Sequence, residues 1–485
     1  MIPRFIILII SIILKYVSSI GDIMDKFTEN LAEWDKKYVW HPYTQMKEYN
    51  PPLKNIIVEK GEGNYLVDIN GKKYLDAVSS IWCNLFGHSE KRIIDAIKNQ
   101  AEKICHSTLL GCGNIPSIVL AKKLVEITPP HLNKVFYSED GAEAVEIAVK
   151  MAFEYYQLRD GKNNKRTKFV SVKEGYHGDT IGTMSVGGSE TFHGCFKPLL
   201  FKGYHAGAPY CYRCEYHNFK DTDERDEKGC SMKCLENMLN LIENHKDEIF
   251  CVILEAGVMG SAGMIPYPDG YIEEVAKKCK ENDIILILDE VATFGRLGKH
   301  LFSDNETLKK LGKPDIITLG KGITGGYVPL AATITTEEIY NQFLGDFEEC
   351  RQLFHGHTYT GNQILCAASI ATMDILKNDK IFENIGEKIK LLHNSLDKLK
   401  ELEHVGDVRK RGFMIGIELV KNKETKEPYP YEFKAGYKVA DKLLEKGIYM
   451  RPIFNTLIVI PPLTITGEEI KFLCDKLYES IKETL

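Results

Sequence analysis

From about residue 110 to 335, short apolar runs alternate with amphipathic stretches. The runs at 135–137, 169–172, 251–255, 284–288, 316–319 and 330–334 have strand length and carry almost no polar residue. Between them, 144–156, 234–242 and 271–279 place apolar residues at a 3.6-residue spacing, the mark of helices with one buried face. Strands buried on both faces require helices on both sides, so the pattern predicts an α/β fold on a large, mainly parallel sheet. In such sheets ligands sit outside the carboxyl ends of the strands. Those ends are therefore where candidate chemistry is sought.

The flanks read differently. Residues 56–76 alternate around Asn70-Gly71, a hairpin signal, because both residues tolerate positive φ. Beyond 375 a helix over 381–402 precedes strands at 405–409 and 413–419. A helix over 433–444 and strands at 448–451 and 457–460 follow, then a final helix opened by Thr466 and Glu469 in capping-box spacing. The expected organisation is an apolar extension (1–23), a first part of a small domain (24–80), a large domain (81–370) with a Cys-rich insertion at about 208–235, and a C-terminal α+β domain (371–485).

Composition narrows this picture only a little. The chain has 485 residues, 44% hydrophobic and 27% charged, with a net charge of −6 and no long block of one sign. Nothing in that balance points to nucleic acid. Thirteen scattered cysteines fit a reducing cytoplasm rather than a disulfide framework. The stretch FIILIISIIL (5–14) is too short to span a bilayer and fits either a membrane-directing segment or an extension upstream of a second start at Met24. A membrane partner is not expected.

Three features fall at strand ends of the large domain. The 284–288 run delivers Asp289, the 316–319 run delivers Lys321, and the 135–137 run leads through Ser138-Glu139-Asp140 into a helix opened by Gly141 and Ala142. Alone, a strand-end Asp is usually a cap and a Lys is usually solvated; together they form the seat that pyridoxal 5'-phosphate (PLP) needs. A helix N-terminus with a glycine favours a phosphate dianion, a buried carboxylate keeps the ring nitrogen protonated, and a desolvated lysine is nucleophilic enough to hold the aldehyde. Tyr176, just past the 169–172 run, offers an aromatic face for the ring.

Together DGAEAVEIA, EGYHGDT, LDEVATFGR, TLGKGITGG and HGHTYTGN, in this order, resemble the class-III aminotransferases of PLP fold type I, from about Trp40 to the C-terminus. The resemblance implies a seven-stranded-type, mainly parallel sheet in the large domain. It implies Lys321 as the Schiff-base lysine, Asp289 at the ring nitrogen and Tyr176 against the ring. Gly141, Ala142 and His357 join the cofactor set, and Thr358 reaches the phosphate of a neighbouring subunit in a homodimer. The chain departs once, having one glycine fewer between Thr293 and Phe294 than the family's D-E-V-x-T-G-F-G-R. Trp40-His41-Pro42-Tyr43, Ser79-Ser80-Ile81-Trp82 and Met450-Arg451-Pro452 are similar to the 7,8-diaminononanoate synthases of biotin biosynthesis, which use S-adenosylmethionine or lysine as donor. That likeness implies Tyr43, Trp82, Tyr176 and Gly356 along the substrate pocket, with Arg451 gripping a carboxylate. Another ω-aminotransferase, acting on an ornithine derivative, 4-aminobutyrate or a diamine, and a PLP aminomutase are the rival readings.

One cluster stands apart. Cys211-x2-Cys214, fifteen residues and Cys230-x3-Cys234 come close to zinc-ribbon spacing, with His205 and His217 nearby. Structural zinc and a loop of free thiols both fit this pattern. Neither touches transamination.

Overall fold

The computed structural model describes residues 29–51, 54–161 and 164–485. The apolar stretch at 5–14 and Met24 lie outside the described residues. Seven strands form the large sheet in the order Leu132–Ser138, Ala331–Thr336, Ile316–Leu319, Ile285–Asp289, Ile249–Glu255, Lys168–Val172 and Tyr204–Ala206. Six run the same way, and Ala331–Thr336 is antiparallel to both its neighbours. The sequence pattern holds no hint of that reversal, since a buried strand is apolar in either direction. It also left out the three-residue edge strand Tyr204–Ala206, which is too short to stand out as a run.

The period of two along the central strands explains the layers. Ile285 and Ile287 join Val145, Ile147, Ala148 and Ala152 of the helix Gly141–Asp160 in one core. Leu286 and Leu288 join Ile272, Val275 and Ala276 of the helix Tyr271–Glu281 in the other. Each buried Leu or Ile is worth about 1.5–3 kcal/mol relative to exposure. A one-residue slip would exchange the two faces of the sheet, so register is strongly specified. The carboxyl ends Asp289 and Glu255 are register partners, as are Asp289 and Thr318.

Residues from both ends of the chain meet in a second sheet. Val58–Glu62, Tyr65–Asp68 and Lys73–Asp76 form an antiparallel ladder, with Gly71 at φ 79° in the expected turn. Ile448–Tyr449 adds a parallel strand to Lys73–Asp76. A third sheet pairs Val405–Arg411 with Met414–Asn422, and Thr456–Val459 with the latter. The expected long helix is Ile381–Asp397 followed by a 3-10 turn, Lys398–Glu401. The final helix, Gly467–Thr484, opens with the expected capping box of Thr466 and Glu469. Between the sheets, the helix Gln363–Asn378 runs unbroken through position 370 and packs on Lys91–Ala101 and Ile115–Ile127.

Candidate active site

The carboxyl ends of the central strands open into a cavity of roughly 670 Å³, lined among others by Trp82, Gly141, Ala142, Tyr176, Asp289 and Lys321. Asp289 is held on three sides. Its Oδ1 accepts the Val291 N–H (3.0 Å) and the Thr318 hydroxyl (3.1 Å), and its Oδ2 lies 2.8 Å from Nδ1 of buried His177. A carboxylate so fixed is preorganised, because its orientation is set before any ligand arrives.

Lys321 follows its strand directly in a tight 3-10 turn, at φ 44°. Burial holds its ammonium below the usual lysine range, against the pull of Asp289, Cys83 and Glu255. Its Nζ lies 5.1 Å from the centre of the Trp82 ring, within cation–π reach. Trp82 is put there by an unusual backbone: Ser79, Ser80, Ile81 and Trp82 all have φ between 47° and 69°. A left-handed turn of four L-residues costs on the order of 1–2 kcal/mol for each of them. Asp76 offsets this by accepting the N–H of Val78 and of Ser80 and the Ser80 hydroxyl, while the Ser79 hydroxyl donates to Ile460 O at 2.6 Å.

At the other wall, Asp140 caps the helix Gly141–Asp160 by accepting the Glu143 N–H at 2.9 Å. A Cβ on Gly141 would come within 2.4 Å of Val291 Cγ1, so only glycine lets the helix start press onto the loop after Asp289. That loop, one glycine short of the family pattern, closes through Phe294 N–H to Glu290 O (3.0 Å) and Arg296 N–H to Thr293 O (2.9 Å). The fully buried Arg296 guanidinium donates to Asn84 O (2.7 Å) and Pro461 O (2.9 Å), tying the loop to the Trp82 segment.

Two participants escaped the sequence reading. Glu255 ends the strand beside Asp289 and accepts the Gly260 N–H (2.8 Å) and the Tyr176 N–H (3.2 Å); burial pushes it up to about 7, against the pull of His177. It had passed as the tail of an apolar run, though a carboxylate ending a buried strand next to another is itself a signal. His177 stood in the same motif as Tyr176, but only the fold shows its bond to Asp289.

Tyr43 joins the site from the N-terminal segment, its hydroxyl 3.3 Å from that of Tyr176 and donating to Asp179. Burial first, and Asp179 next, push Tyr43 up to about 12. Burial raises Asp179 too, yet hydrogen bonds from His193, Tyr43 and Tyr176 hold it below the usual carboxylate range. Arg451 Nη2 donates to Tyr43 O at 2.6 Å and lines an adjoining cavity of roughly 680 Å³ with Tyr431, Tyr437 and Phe454.

Of the remaining expected residues, none lines the Lys321 cavity directly, though His357 touches Glu139 at its wall. Gly356 and Thr358 are exposed, and the Thr358 carbonyl accepts from His106 Nε2 at 2.7 Å. His357 Nε2 sits 2.6 Å from Glu139 and 3.3 Å from Glu143. Among the described residues this trio alone gathers its possible ligand atoms within 4.8 Å of one another; the four cysteines at 211–234 do not.

The family model for the class-III aminotransferases matches residues 45–481. The chain belongs to the class-III aminotransferases. It is 75% identical over 454 residues to the adenosylmethionine-8-amino-7-oxononanoate aminotransferase of Methanocaldococcus jannaschii, covering 93% of this chain and 98% of that one. The enzyme of the same description from Aquifex aeolicus is 47% identical, covering 94% and 98%. The crystal structure of the M. jannaschii enzyme superposes with a TM-score of 0.88 at 71% identity, covering 94% and 99%. A PLP-bound amine transaminase from an uncultivated Pseudomonas species gives 0.84 at 31%, covering 92% and 99%. This aminotransferase therefore has the fold type I architecture that its motifs implied, and its class is PLP-dependent. Its own cavity suits that cofactor: a glycine-opened helix start, a fixed carboxylate and a lysine of lowered pKa face one space. No helix among the described residues is long and apolar enough to cross a membrane.

Proposed function

We propose that this aminotransferase converts 8-amino-7-oxononanoate to 7,8-diaminononanoate, the transformation named in its relatives, as a cytoplasmic homodimer with S-adenosylmethionine as the amino donor. The observation that carries the reading is Tyr43, which links residues that line two cavities. Tyr43 bonds to Tyr176 and Asp179 at the edge of the Lys321 cavity, and its carbonyl holds Arg451 at the mouth of the next. A long aliphatic keto acid needs that arrangement: aromatic walls for its methylenes and a guanidinium fork for the distant carboxylate.

PLP, when bound, supplies an electron sink and carries the amino group between the two substrates. Lys321 would anchor it, Asp289 would hold its ring nitrogen, Tyr176 would cover its ring and the helix start at Gly141 and Ala142 would take its phosphate. Nζ of Lys321 then takes up and returns the proton at the reacting carbon, a task suited to an amine whose ammonium is destabilised. Trp82 and the loop residues Val291, Ala292 and Thr293 wall the space around that atom. Thr358, exposed on its own chain, would serve the site of a second copy with the adjoining Gly356, while His357 would support Glu139 at the cavity wall.

Half-reactions measured separately test the assignment. Arg451→Ala should lower kcat/KM for the keto acid by roughly 30- to 5000-fold, the equivalent of about 2–5 kcal/mol for a charge-assisted fork. Arg451→Lys should restore only part, because a point charge cannot supply two parallel bonds. The half-reaction with the amino donor should change much less. Equal losses in both halves, or none, would overturn the substrate assignment.

A further inference from the structure

The cysteine-rich insertion is built into the fold rather than hung from it. It leaves the edge strand Tyr204–Ala206, returns in the helix Lys233–His245, and between these it clasps the C-terminal sheets. Arg213 donates to Glu418 Oε1 (2.7 Å), the Thr222 hydroxyl to Asp407 (2.6 Å), and Lys426 Nζ to Tyr212 O (2.7 Å). A Cβ on Gly406 would lie 2.2 Å from the Tyr212 hydroxyl, so the two elements are pressed together. Tyr212 and Phe219 are buried within it, yet neither joins the two main core clusters, and the rest of the segment is largely polar. Such a loop needs a staple.

Its four thiols face a common region. Cys211 is buried in a 3-10 turn that ends at Cys214, whose N–H donates to Cys211 O at 3.2 Å. Cys230 precedes Met232, a non-glycine residue at φ 52°, and this kink brings the Met232 N–H to 3.4 Å from Cys230 Sγ. An amide donating to the sulfur two residues earlier is the environment that suits a thiolate. Cys234 lies in the first turn of the next helix, with Cys211, Cys230 and Cys214 close enough to be its charge neighbours. Two cations flank the set: Arg225 Nη1, 3.5 Å from Cys211 Sγ, and Lys426 beside Cys214. They would balance the two net negative charges of a zinc ion with four thiolates. The nearby histidines are engaged, His217 with Ser231 (2.6 Å) and His205 with Ser171 (2.8 Å).

We propose that Cys211, Cys214, Cys230 and Cys234 form a structural zinc site that staples the insertion across the two parts of the molecule. Binding replaces four S–H protons by one Zn²⁺, forming four Zn–S bonds and releasing four protons to solvent. The sulfurs, not within 4.8 Å of one another in the protonated chain, must close to about 3.8 Å for a tetrahedron of roughly 2.3 Å bonds. The first movement available is a rotamer change, which shifts a cysteine sulfur by about 3 Å.

Metal analysis of the full-length enzyme, grown in zinc-supplemented medium and gel-filtered, tests this. About one zinc per chain is expected, released in step with mercurial titration of four thiols. Cobalt put in its place should show the intense sulfur-to-metal absorption of a tetrahedral thiolate site. Cys230→Ser/Cys234→Ser should drop zinc below about a tenth per chain, while Cys105→Ser/Cys112→Ser, at exposed positions, should retain it. Should the double variant fail to fold, the wild-type stoichiometry and the cobalt spectrum still decide. Zinc well below one per chain in the wild type, zinc kept by the Cys230→Ser/Cys234→Ser variant, or disulfides within the set found by mass analysis would each overturn the proposal.

Discussion

Two carboxylates one strand apart do opposite things in this site. Asp289 is fixed in orientation by three partners, whereas at Glu255, with two amide donors, burial outweighs them and raises the carboxyl. Asp289→Asn, which keeps the shape and removes the charge, should lower kcat by at least ~10²-fold, as loss of a preorganised electrostatic group does. A near-normal kcat would assign the ring nitrogen to another residue. Glu255 yields a stability prediction with a definite sign. Its folded pKa of about 7 lies above its ordinary value, so the folded chain binds the extra proton and stability is lost as pH rises towards 7. The Tm of Glu255→Gln relative to wild type should therefore climb between pH 5 and 7 and level off above 8. A difference that is flat with pH would mean that Glu255 titrates normally.

The helix Gly141–Asp160 is placed by what its first residue lacks. With Val291 Cγ1 2.4 Å from the position of a Cβ, Gly141→Ala must displace the loop after Asp289 or the helix start itself. Overpacking of this kind costs about 1–3 kcal/mol. It should appear both as a lower Tm and as weaker PLP retention, since the loop and the helix start line the same cavity. Adding Val291→Ala should recover much of each. If the second substitution rescues neither, the strain lies in the backbone and not in that contact. The Trp82 segment makes the same point in another way: its four left-handed residues look unremarkable as Ser-Ser-Ile-Trp, and it takes anchors from Asp76, Ile460 and Arg296 to hold them.

Across the whole molecule, one face is more apolar than a lone chain should leave it. Leu110 is 90% exposed and Ile115 78%, with Phe354 and Tyr359 exposed in the neighbouring segment that carries Thr358. The two segments are tied by the His106 bond to Thr358 and by Asn114 Nδ2 donating to Gly361 O at 3.1 Å. A patch of this kind normally marks an interface, and a second copy laid on it would receive Thr358. Leu110→Asp/Ile115→Asp should therefore shift the protein towards monomer in sedimentation and loosen PLP in parallel. Unchanged sedimentation with full cofactor affinity would count against the proposed homodimer on this face.

What the sequence determined by itself was whatever depends on local period and on fixed motifs. Apolar runs of strand length located six of the seven strands of the large sheet, and a capping box located the start of the last helix. Strand ends pointed to Asp289 and Lys321, because a buried strand must end where its polar residue meets a crevice. What only the tertiary structure decided was everything that depends on neighbours remote in the chain. The reversed strand Ala331–Thr336, the bond from His177 to Asp289, the raised pKa of Glu255 and the junction of Tyr43 with Arg451, 408 residues apart, belong here. The physical reason is common to all four. Direction, hydrogen-bond partner and desolvation are properties of a surrounding, and a surrounding is assembled by packing rather than written at any one position.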